Sequence, residues 1–82
     1  MWEVYTKNNC PFCDKAKFLL RYETEITLMN ISEDPAYFQG LMVRNPQART
    51  LPQIYKDGKL IGGYTELQTF IDLHSASGGI SL

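Results

Sequence analysis

The sequence predicts an α/β domain: a four-stranded mixed sheet with helices on both faces, in the order βαβαββα. Three observations carry that reading. Short runs of β-branched, aromatic and aliphatic residues alternate with amphipathic runs of helical period. The first three runs make a strand-helix-strand unit, which normally means a parallel pair with a right-handed crossover. Near the end, Asp57-Gly58 stands between two short strand-like runs, the strongest short-range hairpin signal. A parallel pair and an antiparallel pair in one sheet make it mixed.

The elements follow in chain order. Trp2 to Thr6 is short, apolar and β-branched, a central strand, and Lys7 to Asn9 is the turn after it. Pro11 to Tyr22 reads as a helix, with Cys13, Ala16, Phe18, Leu19 and Leu20 as its apolar face and Lys15, Lys17 and Arg21 as its wet face. Glu25 to Ile31 is the second strand, with Ile26 and Leu28 facing one way and Thr27, Met29 and Ile31 the other. Asp34 is placed to cap a helix that has Pro35 at its first position and runs to Arg44, with Tyr37, Phe38, Leu41 and Met42 inward. Asn45-Pro46 ends it.

Gln47 to Thr50 is a polar loop, Leu51 to Tyr55 a strand, and Lys59 to Ile61 the returning strand of the hairpin. Gly62-Gly63 breaks that strand. Thr65-Glu66-Leu67-Gln68 reads as a capping box with Thr65 at the N-cap. The last helix follows to about Ser75, burying Leu67, Phe70 and Ile71, and residues 76–82 are a Gly/Ser-rich tail expected to fray. Tyr22, Tyr37 and Phe38 read as core, and His74 as a polar residue near a helix end. The topology is a thioredoxin type in minimal form.

Composition bounds what such a chain can be. At 82 residues it is one domain, spanning 1–82, with a modest core. A net charge of −1 gives no basic footprint for nucleic acid or an anionic membrane. No run approaches the roughly 18 apolar residues of a spanning helix, and no signal peptide is visible at the start. The sequence contains two cysteines, arranged for chemistry rather than for a disulfide framework. These features indicate a soluble protein of a reducing compartment, the cytoplasm.

The chemistry concentrates in Cys10-Pro11-Phe12-Cys13. A C-x-x-C in a short α/β chain reads first as a dithiol redox motif. Pro11 suits the first helical position, because its missing N–H is one the helix would not use. Cys10 then falls at the N-cap and Cys13 one turn inside, so the sulfurs are neighbours. The helix dipole and its free amides favour an anion at Cys10, and Lys7 adds positive charge nearby. Thiolates so placed have pKa values of about 3.5–7.5, against about 8.5 for a free thiol. Cys10 is therefore the expected nucleophile and Cys13 the resolving thiol. Asp14 opposes this if its carboxylate turns toward the sulfurs. Two other readings stay open on the spacing alone. A structural disulfide closing so small a loop removes little chain entropy, and a closed zinc site needs four ligands where His74 is the only other soft one.

Three motifs, in order, resemble the glutaredoxin family. Tyr5-Thr6-Lys7 ahead of Cys10-Pro11-Phe12-Cys13 is similar to the family's active-site entry, commonly C-P-Y-C. Arg49-Thr50-Leu51-Pro52-Gln53-Ile54-Tyr55 resembles its T-V-P-Q-I-F segment, in which the proline is cis. Asp57-Gly58-Lys59-Leu60-Ile61-Gly62-Gly63 resembles its hairpin and double glycine. Thioredoxin proper, with W-C-G-P-C and a further N-terminal strand and helix, is a poorer match. The resemblance covers nearly all of the chain. Phe12 stands for the usual tyrosine, Leu51 for valine, Asn9 for a common Gly or Ser, and Tyr64-Thr65 for Cys or Ser followed by Asp.

The resemblance implies a glutathione-dependent thiol–disulfide oxidoreductase. Cys10 and Cys13 would be catalytic. The backbone of Leu51, turned outward before Pro52, would pair with the cysteinyl backbone of glutathione, as a strand adds to a sheet edge. Lys7, helped by Arg49 or Gln47, would meet the glycyl carboxylate. The amides of Tyr64 and Thr65 would hold the γ-glutamyl carboxylate, with Gly62 and Gly63 allowing close approach, and Phe12 and Thr50 complete the expected groove. Gly-Gly-Tyr-Thr resembles the small dithiol members that reduce ribonucleotide reductase, and the implied partners are glutathione and disulfide-containing or glutathionylated proteins. A monomer and no metal are expected. A [2Fe–2S] carrier is a second hypothesis, against which Pro11 stands where cluster binders commonly have Gly or Ser. A non-catalytic binding module is a third, disfavoured by the intact cysteine pair.

Overall fold

The strand Trp2–Thr6 (β1) is the one on which the sheet is built. The computed structural model describes residues 1–79, with side chains through His74. In it β1 lies between two neighbours, parallel to Ile26–Asn30 (β2) with Val4 opposite Leu28, and antiparallel to Gln53–Lys56 (β3) with Val4 opposite Ile54. Lys59–Gly62 (β4) returns antiparallel along β3, giving the order β2-β1-β3-β4. The hairpin turn sets Asp57 at φ 51° and Gly58 at φ 82°, the left-handed pair that matches the strand twist.

Alternation along β1 and β3 makes two separate cores. Trp2, Val4 and Ile54 face one way and pack with Ala16 of the helix Pro11–Leu19 (α1), with Leu20 at its end, and with Leu67 of Tyr64–Gly79 (α3). Tyr5, Met29 and Tyr55 face the other way and pack with Leu41 of Pro35–Arg44 (α2). The expected mixed sheet with helices on both faces is what the chain forms. β3 begins at Gln53, not Leu51: the ladder with β1 stops at the Tyr5–Gln53 pair, and Pro52 has no N–H to extend it.

The helix ends explain the other differences. α1 stops at Leu19, three residues short of the expected Tyr22. The Leu20 amide is shared between the Ala16 and Lys17 carbonyls at 3.2 and 3.1 Å, and the Arg21 amide reaches Phe18 at 3.2 Å, so the last turns tighten. Phe18, expected inward, is 61% exposed. It lies about 200° round the helix from Ala16 and carries the Arg21 guanidinium 3.8 Å from its ring centroid. Tyr22, expected in the core, lies beyond the helix and is exposed.

α2 follows expectation at both ends: Asp34 Oδ1 accepts the Ala36 amide at 2.9 Å, and Asn45 donates to Leu41 at 2.7 Å. Phe38, however, is 47% exposed rather than inward. α3 begins earlier than the capping-box reading placed it. Its cap is Gly63, whose carbonyl accepts the Leu67 amide at 2.9 Å and whose own N–H donates to Glu66 Oε1 at 2.9 Å. Thr65 is thus inside the first turn. The helix runs to Gly79, beyond the expected Ser75; of the expected tail, residues 80–82 lie outside the described residues. His74 stacks on Phe70 with centroids 4.0 Å apart and Nδ1 2.8 Å from its carbonyl oxygen.

α2 is tied to the sheet by one cation. Arg44 donates to Glu3 Oε1 at 3.1 Å and to Tyr5 Oη at 3.2 Å, and lies 3.8 Å from the Tyr55 ring centroid. The hydrogen bonds to Tyr5 and Glu3 raise the Arg44 pKa further, so it stays charged. Burial pushes the Tyr55 hydroxyl pKa up, and among the described residues its oxygen has no hydrogen-bond partner. A hydroxyl without a partner contributes little, whereas one bonded to a charged group contributes about 1.5 kcal/mol or more. Tyr55→Phe is therefore expected to change stability by under about 0.5 kcal/mol, or to raise it, and Tyr5→Phe to lower it by about 1.5 kcal/mol. Urea unfolding of the two variants reads both; a larger loss from Tyr55→Phe contradicts the assignment.

Candidate active site

The site lies where the start of α1 meets the segment before β3. Asn9 takes φ 55° at the bend into the helix, a conformation asparagine tolerates better than most residues. Asn8 fixes the bend to the end of β2: its amide donates to Ser32 Oγ at 3.0 Å, and its side-chain oxygen accepts from Asn30 at 2.9 Å. Cys10 then caps α1. Its Sγ accepts the Cys13 amide at 3.2 Å, its carbonyl accepts the Asp14 amide at 3.0 Å, and Pro11 follows at the first helical position.

Cys10 and Cys13 are joined as a disulfide, with Cα atoms 5.2 Å apart. Cys13 is fully buried and Cys10 is 6% exposed, so the outer sulfur is the one a reactant reaches. Across from it the Leu51–Pro52 bond is cis, and Cys10 Sγ lies 3.7 Å from the Leu51 carbonyl oxygen. Asp14 does not turn toward the sulfurs; its carboxylate is 3.5 Å from Lys17 Nζ on the exposed side of α1.

Two open grooves meet at Thr50 and Leu51. One, of about 240 Å³, runs toward the start of α3 and is lined by Phe12, Thr50, Leu51, Pro52, Gly63, Tyr64, Thr65 and Glu66. The other, of about 370 Å³, runs toward α2, with Lys7, Arg49, Thr50 and Leu51 among its lining residues. Of the residues expected in the binding groove, Lys7, Phe12, Arg49, Thr50, Leu51, Pro52, Gly63, Tyr64 and Thr65 line one or both of the two. Phe12 and Tyr64 stand together, ring centroids 5.8 Å apart, with Lys15 Nζ 5.0 Å from the Phe12 centroid. Arg49 holds its own loop, donating to the Pro46 and Ala48 carbonyls at 2.9 and 3.0 Å. Gln47 is not among the lining residues of either groove.

Glu66 was not foreseen. It lines the α3 groove, and its carboxylate takes the Gly63 amide. The signal was in the sequence: Gly63 is an acceptable N-cap with an acid three residues on, hidden behind the better-looking Thr65. Gly62, at φ 128°, must be glycine, because a Cβ there would lie 2.7 Å from Glu66 Cγ. The described residues hold no group of three or more potential metal ligands, and no described helix is long and apolar enough to cross a membrane.

The glutaredoxin family's sequence model matches residues 3–61. The chain belongs to the glutaredoxin family. It is 35% identical to glutaredoxin 3 of Escherichia coli K12 over 66 residues, covering 79% of this chain and 78% of that one. A Synechocystis protein named "Probable glutaredoxin slr1562" is 36% identical over 66 residues, a match that spans 79% of this chain but only 61% of the relative. Among solved structures, the dithiolic glutaredoxin 2-C-Grx1 of Trypanosoma brucei brucei superposes with a TM-score of 0.76 at 26% identity, over 94% of this chain and 82% of that one. Family and cysteine pair together make this glutaredoxin a thiol–disulfide oxidoreductase.

The unequal burial of the sulfurs sets an expectation for the reduced protein. Cys10, at a helix N-terminus with access to solvent, should alkylate with iodoacetamide at pH 7 at least about tenfold faster than Cys13. Peptide mapping of the partially alkylated protein measures the ratio; equal rates contradict the assignment of Cys10 as the attacking thiol.

Proposed function

We propose that the protein uses glutathione as its reductant and reduces both protein disulfides and glutathione mixed disulfides. One observation carries the reading: Cys10 Sγ sits 3.7 Å from the carbonyl oxygen of Leu51, a residue that lines both grooves. An extended tripeptide disulfide-bonded to Cys10 has the Leu51 backbone to pair with, as an added strand. Its γ-glutamyl carboxylate reaches the amides of Tyr64 and Thr65 at the start of α3, and its glycyl carboxylate reaches Lys7, with Arg49 beside it. Phe12, Thr50, Pro52 and Gly63 shape the passage. A buckwheat glutaredoxin of the same fold has been solved in complex with glutathione, which supports the reading.

The reaction then runs by thiolate exchange. The Cys10 thiolate attacks one sulfur of the substrate disulfide; the other sulfur leaves as a thiolate and takes a proton from water. With a protein disulfide, Cys13 attacks the mixed disulfide, frees the second substrate thiol and leaves the Cys10–Cys13 bridge. Two glutathione molecules reduce that bridge in turn and depart as glutathione disulfide. With a glutathionylated substrate Cys10 keeps the glutathione, and a second glutathione removes it. A low-pKa thiol serves as both ready attacker and good leaving group.

The disulfide of ribonucleotide reductase is the protein substrate we favour, on the likeness of Gly-Gly-Tyr-Thr to the small dithiol members that serve it. We place the protein in the cytoplasm, since its thiols need a reducing compartment to turn over, and read it as a monomer.

The two cysteines separate the two activities. Cys13→Ser should keep most of the deglutathionylation activity and lose protein-disulfide reduction, because the mixed disulfide at Cys10 then has no internal thiol to resolve it. Cys10→Ser should abolish both. Turnover of a glutathionylated peptide and of a disulfide-bonded protein, coupled to glutathione oxidation, reads both. Loss of deglutathionylation in Cys13→Ser as complete as in Cys10→Ser contradicts the proposal and describes a small dithiol reductant instead.

A further inference from the structure

The two grooves beside the disulfide are unlike in chemistry. The α3 groove has backbone amides and Glu66 at its far end. The α2 groove is larger, about 370 Å³, and its floor is formed by Ile31, Phe38, Leu41, Met42, Ala48 and Leu51. Lys7 and Arg49 stand with Thr50 among this apolar surface. Phe38 is 47% exposed there, a large ring left half in water in a groove that extends to Leu51, whose carbonyl oxygen lies 3.7 Å from Cys10 Sγ.

Glutathione does not cover that floor. If its cysteinyl residue lies against Leu51 and its γ-glutamyl group points to α3, its third residue falls in the α2 groove. That residue is glycine, whose carboxylate reaches Lys7 but which has no side chain to set on the apolar surface. We infer that the α2 groove is a side-chain pocket for polypeptide substrates: it takes the residue that follows the disulfide cysteine and selects a bulky apolar one, of leucine or phenylalanine size. The inference rests on the proposed placement of glutathione and extends it to substrate choice.

Two features match that occupant. Such a side chain would cover Phe38 and Met42 and remove their apolar surface from water, which is the main source of affinity in a groove of this kind. Lys7 has no ion-pair partner among the described residues, and it is exposed. It stands ready for a carboxylate, either the chain end or an acidic residue just beyond the apolar one. The substrate class is thus a disulfide whose cysteine is followed by a large apolar residue and then by negative charge.

The test compares two synthetic disulfides of cysteamine, one with γ-Glu-Cys-Gly and one with γ-Glu-Cys-Leu, with excess glutathione as reductant. In each, Cys10 attacks the peptide sulfur and cysteamine leaves as a thiol. The leucine peptide should show kcat/KM about fivefold to tenfold higher, the range expected for partial burial of one leucine side chain. Phe38→Ser should bring the two within about twofold by lowering the leucine value alone. Equal or lower kcat/KM for the leucine peptide on the unaltered protein overturns the inference, whether or not the variant folds. An advantage that persists in Phe38→Ser overturns the assignment to this groove. Failure to turn over the γ-Glu-Cys-Gly disulfide at all is a different result, which removes the glutathione reading and this inference with it.

Discussion

The sulfur of Cys10 does two jobs, and the site depends on their being one atom. It caps α1 by accepting the Cys13 amide at 3.2 Å, and it is the atom that a reactant reaches. A helix N-terminus offers several amides with no partner inside the helix, and the positive end of the dipole lies with them. Most caps answer that need with a hydroxyl or carboxylate oxygen. Here a thiolate would answer it better than a thiol, so the helix that positions the nucleophile also stabilises its reactive form. Pro11 fixes the helix start without wasting an amide, and Asn9, at φ 55°, turns the chain into place.

The rest of the fold holds a second backbone segment opposite that sulfur. β1 delivers Cys10 through a short turn tethered to β2, and β3 begins just after Pro52, so Leu51 lies next to the sheet but outside its ladder. Its backbone groups are therefore not used by β1. The two sheet faces are packed by different helices, α1 and α3 on one side and α2 on the other. The site sits where both come to an end, so one groove belongs to each face. That division gives the larger groove its apolar floor, since it is the open margin of the core under α2. The smaller groove gets its polar end from the start of α3.

The elements were legible in the sequence, and some of their ends were not. Pro35, Asn45-Pro46 and Asp57-Gly58 act on the backbone directly, and the structure breaks where they stand. The end of α1 has no such residue; competing amide bonds among Ala16, Lys17, Phe18 and Leu20 decide it, and those are not written in side-chain type. Phe18 turns outward because its position, about 200° round α1 from the buried Ala16, outweighs its hydrophobicity. At α3, Thr65 looked like the cap, but the helix begins earlier because Glu66 can reach the Gly63 amide. Residues of the C-x-x-C, the Thr50-Leu51-Pro52 segment and the double glycine do come together around Leu51 in the fold. The apolar groove under α2 was invisible because Phe38 and Met42 of α2 meet Ile31 and Ala48 from the loops on either side, and the four carry no motif; Phe38 and Met42 read as core until the packing leaves a gap beside them.

The central claim is that Leu51 serves as a short strand edge for the substrate bonded to Cys10. The most direct measurement is a crystal structure of the Cys13→Ser variant trapped as its Cys10–glutathione mixed disulfide. The account predicts backbone hydrogen bonds between Leu51 and the cysteinyl residue of glutathione, with the γ-glutamyl carboxylate on the first turn of α3 and the glycyl end beside Lys7. A glutathione moiety extending into solvent, or lying on α1 with no bond to Leu51, contradicts it.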